Sequence, residues 1–278
     1  MNPRRNAVLL ALPTVMALVI LFVVPMTWIL IQALQKDGLT YFAKFFGDSF
    51  YLAILWNTVK IAIQTTCITL LLGYPTAYFM ARTQSGARNI LMIVLIFPFL
   101  VSAVVRSYGW MVILGEHGLL NQFLAGLGLI ARPLVILNTP HAVRIGLVHL
   151  LLPYMVLSVS SALQGIDRNV EYAAYSLGAN PFRTFSRVVL PLSSPGVISG
   201  CILVFTLSMT AYVTPKLLGG ARFRMMSTMV FQEINVNFNW AFATAISYIL
   251  LFAILVILIL SNYATSGINK RVGGPKHA

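Results

Sequence analysis

With 278 residues, 59% of them hydrophobic and only 9% charged, the chain carries too little polar surface for a soluble domain of its size. Its formal net charge of +13 comes from scattered Lys and Arg with no basic run of motif density, which excludes nucleic acid as the partner and points to the flanks of membrane spans. Cys67 and Cys201 lie inside apolar runs without partners at metal spacing, and read as small buried residues.

Several apolar runs reach the roughly 18 residues needed to cross about 30 Å of hydrocarbon. They predict an all-α membrane protein with six transmembrane helices, over residues 7–33, 53–81, 89–107, 141–163, 189–214 and 240–263. The runs are continuously apolar, whereas the strands of a membrane β-barrel alternate. The first follows Arg4 and Arg5, is too long for a signal-peptide core and lacks a small-x-small cleavage site, so it is expected to be a retained anchor. Between the third and fourth spans lies a longer stretch, with a short interfacial helix expected around residues 119–129. Helix breakers are expected to interrupt four spans: Gly73 and Pro75 the second, Pro98 the third, Pro153 the fourth, Pro195 and Gly196 the fifth.

Residues 164–188 form a polar connection between the fourth and fifth spans, and its local signals predict a helix–turn–helix. Asp167 or Asn169 is placed to cap a first helix, with Glu171 in its opening turn. Ala173 and Ala174 keep one face slim. Gly178 suits a left-handed helix end, and Asn180 with Pro181 suits the start of a second helix. Phe182 and Phe185 give that helix an apolar side, while Arg183 and Arg187 keep it at an aqueous edge. On composition alone an ordinary amphipathic loop is the favoured reading.

The same segment resembles the EAA motif of ABC importer permeases: EAA, three residues, Gly, nine residues, an aliphatic residue, one residue, Leu-Pro. Register on Gly178 puts Tyr172, Ala173 and Ala174 on the EAA positions and brings Val188, Leu190 and Pro191 into line. The motif's acid falls on Tyr172, with Glu171 one place earlier as the retained acid. Ser194-Pro195-Gly196, the stretch from Ala211 to Gly220, Asn57-Thr58, the stretch from Gly73 to Tyr78, Pro98-Phe99, the stretch from Arg106 to Trp110, Leu119 to Asn121 and Asn239 to Ala245 are similar to the spermidine/putrescine branch. This resemblance implies a type I importer permease fold, with residues 1–278 as a single transmembrane permease domain and 164–188 as the cytoplasmic coupling loop. It implies ATPase-coupling roles for Glu171, Tyr172, Ala173, Ala174, Gly178, Ala179, Pro181, Leu190 and Pro191. The implied partners are a second, homologous permease in a heterodimer, two ATP-binding subunits and a periplasmic substrate-binding protein. ATP and Mg would be used by the partner ATPase, with no cofactor on this chain and no catalytic residue. The implied location is the bacterial inner membrane, surrounded by lipid, with both termini cytoplasmic.

The expected cargo is a small amine-bearing solute, a polyamine or related amino compound. Tyr108, Trp110, Tyr154 and Tyr212, with Thr210, Thr214 and Lys216, are candidates for its path, because aromatic faces bind amine cations. Aromatic anchoring at the membrane interface is the alternative for Tyr108 and Trp110. Members of the branch carry acids near Tyr212 where this chain has Ala211 and Lys216, which favours a zwitterionic or anionic solute (amino acid, opine, aminophosphonate) as the alternative cargo. Lys60 is expected to snorkel outward, and His149 to make an interhelical hydrogen bond. A secondary transporter is opposed by the lack of carboxylates in the spans and of matching halves. An intramembrane enzyme is opposed by the lack of HExxH, GxSxG or a paired-Asp arrangement.

Overall fold

The computed structural model describes residues 3–37 and 39–272, with the side chains of residues 3–11, 32, 33, 35–37, 262 and 264–272 left out. Among them the only regular elements are helices: α1 Pro3–Asp37, α2 Thr40–Gly47, α3 Ser49–Arg82, α4 Gly86–Leu100, α5 Ala103–Leu114, α6 Leu119–Gly126, α7 Pro140–Gln164, α8 Arg168–Ser176, α9 Pro181–Thr184, α10 Leu190–Thr210, α11 Val213–Leu218, α12 Met226–Asn235 and α13 Trp240–Val272. A π-turn, Phe185–Val189, joins α9 to α10. Five helical stretches are long and apolar enough to cross a membrane alone, and α4 with α5–α6 makes a sixth only as a bent pair. The basic termini that entered the charge pattern, Arg4, Arg5, Lys270, Arg271 and Lys276, lie outside the described side chains.

The chain divides into two compact units. One comprises residues 1–53 and 229–251, the other 54–228 and 252–278. The first is organised by aromatic rings: the fully buried Phe45 stacks on Tyr51, which meets Phe242 edge-on at 5.1 Å, and the Lys44 ammonium lies 4.7 Å above the Phe242 ring. The Tyr248 hydroxyl donates to the Met26 carbonyl at 2.6 Å and so ties α13 to α1.

In the second unit α7 is the central element. Thr139 accepts from the His141 N–H and Pro140 occupies the first turn, a start signal of the usual kind. Leu151, Met155, Val156, Val159 and Leu163 of α7 then bury against Tyr74, Ala77 and Met80 of α3, Leu95 of α4 and Val204 of α10. At the other end of α7, Ala142, Val143 and Leu147 close on Ile61, Leu114, Leu218, Phe223 and Met225.

The structure corrects the expected interruptions. The α-helix runs on through Pro75, Pro153 and Pro195. The glycines beside them act by close approach instead. A Cβ on Gly73 would stand 2.9 Å from Met155 Cγ, one on Gly200 2.8 Å from Met155 Sδ, and one on Gly196 2.9 Å from the Ser158 carbonyl. These small residues let α3 and α10 draw tight against α7, and Ser158 donates across the α7–α10 contact to the Gly196 carbonyl at 3.0 Å. Helix packing holds together what Pro alone would loosen.

The span expected at 89–107 is the one that breaks, two residues beyond Leu100, with a bend of 105° between α4 and the α5–α6 pair. Pro98 denies α4 an N–H near its end. Ser102 then caps α5 by accepting from the Val104 N–H, and Arg106 donates to the Pro98 carbonyl at 2.5 Å. The expected interfacial helix falls on α6, whose Asn121 holds the following loop by exchanging bonds with the backbone of Leu134.

Adding a methyl at Gly196 is expected to destabilise the α7–α10 contact by about 1–3 kcal/mol. Gly126, which has open space at its Cβ position, is the control. Thermal unfolding in detergent should show Gly196→Ala melting well below the native chain and Gly126→Ala within error of it.

Candidate functional site

The segment between α7 and α10 assembles from short-range rules. Asp167 caps α8, its carboxylate accepting from the Asn169 N–H at 2.9 Å. At the far end Gly178 takes φ +81°, and its N–H reaches the Tyr175 carbonyl while the Ala179 N–H reaches that of Ala174. This double closure is a Schellman end, and it needs a residue without a Cβ at the left-handed position. Asn180 caps α9 by accepting from the Arg183 N–H at 2.8 Å, with Pro181 in the first turn. The Leu190 N–H then reaches back five residues to Phe185, and Pro191 opens α10.

Long-range contacts fix this segment onto the end of α3. Glu171 is buried; its carboxylate lies 2.5 Å from an Arg82 guanidinium nitrogen and accepts from the Tyr78 hydroxyl at 3.2 Å. The same guanidinium donates to the Leu163 carbonyl at 3.1 Å, satisfying the last turn of α7. Arg168 answers by donating to the Arg82 carbonyl at 2.7 Å, satisfying the end of α3. Phe185 stands edge-on to both Tyr74 and Tyr78, and the Tyr74 hydroxyl lies 2.7 Å from that of Ser193.

Outward, the segment presents a different chemistry. Leu177 is 89% exposed, Phe182 78%, Tyr172 59% and Tyr175 42%. Ala173, Pro181, Arg183, Arg187 and Leu190 are also exposed, while Ala174, Ala179 and Pro191 are half-buried. Glu171, read from the sequence as the retained acid of the docking motif, is therefore turned away from this surface. Arg82, Tyr78, Tyr74 and Arg168 were given no role at this segment in the sequence; the signals there were the basic residue ending the second span and the family-like stretch from Gly73 to Tyr78.

The expected path residues are distributed over α5, α7, α10 and the region of α11. Trp110 Nε1 donates to His149 Nδ1 at 3.2 Å, an α5–α7 bond of the kind expected for that histidine. Trp110, His141, Arg144 and His149 line an open cavity of about 530 Å³ whose remaining walls are aliphatic, and no carboxylate lines it. Tyr154 packs edge-on to Phe99 at 4.9 Å, Tyr108 is exposed on α5, and Thr210 returns its hydroxyl to its own helix. Tyr212 and Lys216 flank the buried Thr214 on α11, where a Cβ at Gly146 would approach the Thr214 methyl to 2.7 Å. Lys60 is exposed on α3.

Residues 66–274 match the family described as binding-protein-dependent transport system inner membrane component. The chain is 37% identical over 222 residues to the spermidine/putrescine transport system permease protein PotB of Haemophilus influenzae, covering 80% of this chain and 78% of that one. It is 36% identical over 226 residues to PotB of Escherichia coli K12, covering 81% and 82%. Among solved structures it is similar to a chain of a bacterial alginate ABC transporter in complex with its alginate-bound periplasmic protein, with TM-score 0.81, 19% identity and 96% of each chain covered. That likeness carries the fold.

Placing a β-branched side chain at φ +81° costs about 1–2 kcal/mol, whereas Asn tolerates this region. Gly178→Val is accordingly expected to speed tryptic cleavage at Arg183 about fivefold or more, and Gly178→Asn to leave the rate close to that of the native chain.

Proposed function

Because the chain belongs to the family of binding-protein-dependent transport system inner membrane components, and is the permease subunit of an ABC importer rather than an enzyme, we propose that it passes a small amine-bearing solute to the cytoplasm. It is a multi-pass inner-membrane protein that works with a separate ATPase subunit and a substrate-binding protein. The cargo we assign is a polyamine or related amino compound. The observation that carries this is the identity of 36–37% to spermidine/putrescine permeases over four-fifths of the chain.

In this reading the complex holds this chain, a second homologous permease and two ATPase copies that use ATP and Mg. Both termini of this chain are cytoplasmic, so that segment 164–191 faces the ATPase. Closure of the ATPase dimer on ATP moves the segment, and its contacts with α3, α7 and α10 carry the motion into the spans. Supporting an entry of energy here, no Asp or Glu lies in the described helices α3, α4, α5, α7 or α10, the crossings that a proton-coupled carrier would equip with one. Tyr172, Ala173, Ala174, Gly178, Ala179, Pro181, Leu190 and Pro191 shape the segment, and the helices of Trp110, Tyr154 and Thr214, with Tyr212 in the turn before α11, would rearrange around the solute.

A second reading, a zwitterionic or anionic cargo, is favoured by one specific arrangement. The cavity beside Trp110 offers Arg144 and two imidazoles with no carboxylate, and Ala211 and Lys216 add no negative charge nearby. Such walls give a polycation no counter-charge in low dielectric.

Reconstitution of the whole importer in liposomes separates the two. ATP-dependent accumulation of labelled spermidine, competed by putrescine and not by amino acids, is the expected result. Accumulation competed only by carboxylate-bearing amino compounds would establish the second reading instead.

A further inference from the structure

The segment between α7 and α10 turns the acid of its motif inward. Glu171 is the only acid between Arg168 and Pro191, and it is consumed internally by Arg82 and Tyr78. Asp167, at the segment's start, is engaged with the Asn169 N–H and side-chain amide. What remains on the outer surface is Leu177, Phe182, Tyr172 and Tyr175, with Arg183 and Arg187 as its exposed charges. Large apolar side chains at such exposure on an aqueous loop mark a contact surface.

We infer that this permease docks on its ATPase through an apolar, positively charged face, and that the fitting groove is apolar with an acidic rim. Glu171 is a positioning residue: with Arg82 it fastens α8 to the ends of α3 and α7, so that displacement of the docked face moves those spans. A groove whose rim carried Arg or Lys to read the motif's acid would meet Arg183 and Arg187 with like charge and find no acid to pair. The inference rests on the reading of segment 164–191 as the ATPase contact.

The test uses the complete importer, purified through the permease, with three readouts: ATPase retained, the effect of salt on that retention, and solute transported per ATP hydrolysed. Phe182→Asp and Leu177→Asp are expected to lower ATPase retention about tenfold or more, as loss of a buried apolar anchor does. Arg183→Glu is expected to lower it too, and the native complex to weaken as salt rises. Glu171→Gln is expected to lower retention no more than Arg82→Gln does, since both only loosen the same buried pair, while transport per ATP falls several-fold. The exchanged pair Arg82→Glu with Glu171→Arg should recover part of that ratio, which guards against a variant that merely folds poorly. Loss of retention on Glu171→Gln with retention intact on Arg82→Gln would overturn the inference, because Glu171 would then touch the ATPase itself. Strengthened retention on Arg183→Glu would overturn the acidic rim. If Phe182→Asp, Leu177→Asp and Arg183→Glu all left retention unchanged, the reading of the segment as the ATPase contact would fail with it.

Discussion

The ion pair between Arg82 and Glu171 sits where three helix ends meet. Its side chains are only 14% and 9% exposed, so each charge depends on the other for compensation. Removing one partner of such a pair typically costs about 3–5 kcal/mol, because the other is left buried and uncompensated. Arg82 also satisfies a carbonyl at the end of α7, and Arg168 satisfies one at the end of α3. Any movement of α8 therefore disturbs two spans together. A loop attached by its two peptide connections alone would pivot; this one is bolted.

The central packing of α7 serves the same end from within. Gly73, Gly196 and Gly200 bring α3 and α10 so close that there is no slack for either to slide without displacing Met155 or Ser158. Rigid transmission is what the proposed coupling role would require, and close-packed interiors supply it. Continuous helices through Pro75, Pro153 and Pro195 fit that logic better than hinges would.

What could be read from the sequence followed the range of the interaction. Asp167, Gly178, Asn180 and Pro181 were legible because caps and left-handed ends are set within a few residues. Five crossings were legible because each is a run of apolar composition. The inward turn of Glu171 was not, since its partners stand 89 and 93 positions earlier and no local pattern links them. The expected kinks failed for a related reason: Pro and Gly state a local preference, and neighbouring helices overrode it. The broken third crossing was placed within a span because its apolar composition continues through Val101, while the bend depends on Arg106 and Ser102 satisfying the freed backbone. The path residues were the least legible, being aromatic positions whose neighbours only the fold supplies.

The break between α4 and α5 bears on water. Fifteen helical residues rise about 22 Å, short of the roughly 30 Å of hydrocarbon, so α4 does not reach across it alone. The chain then turns by 105° into the α5–α6 pair. Backbone groups at such a depth, with a guanidinium beside them, are tolerated only where protein or water covers them. The turn at Val101 and Ser102 therefore needs such cover, and Arg106 supplies part of it by donating to the Pro98 carbonyl.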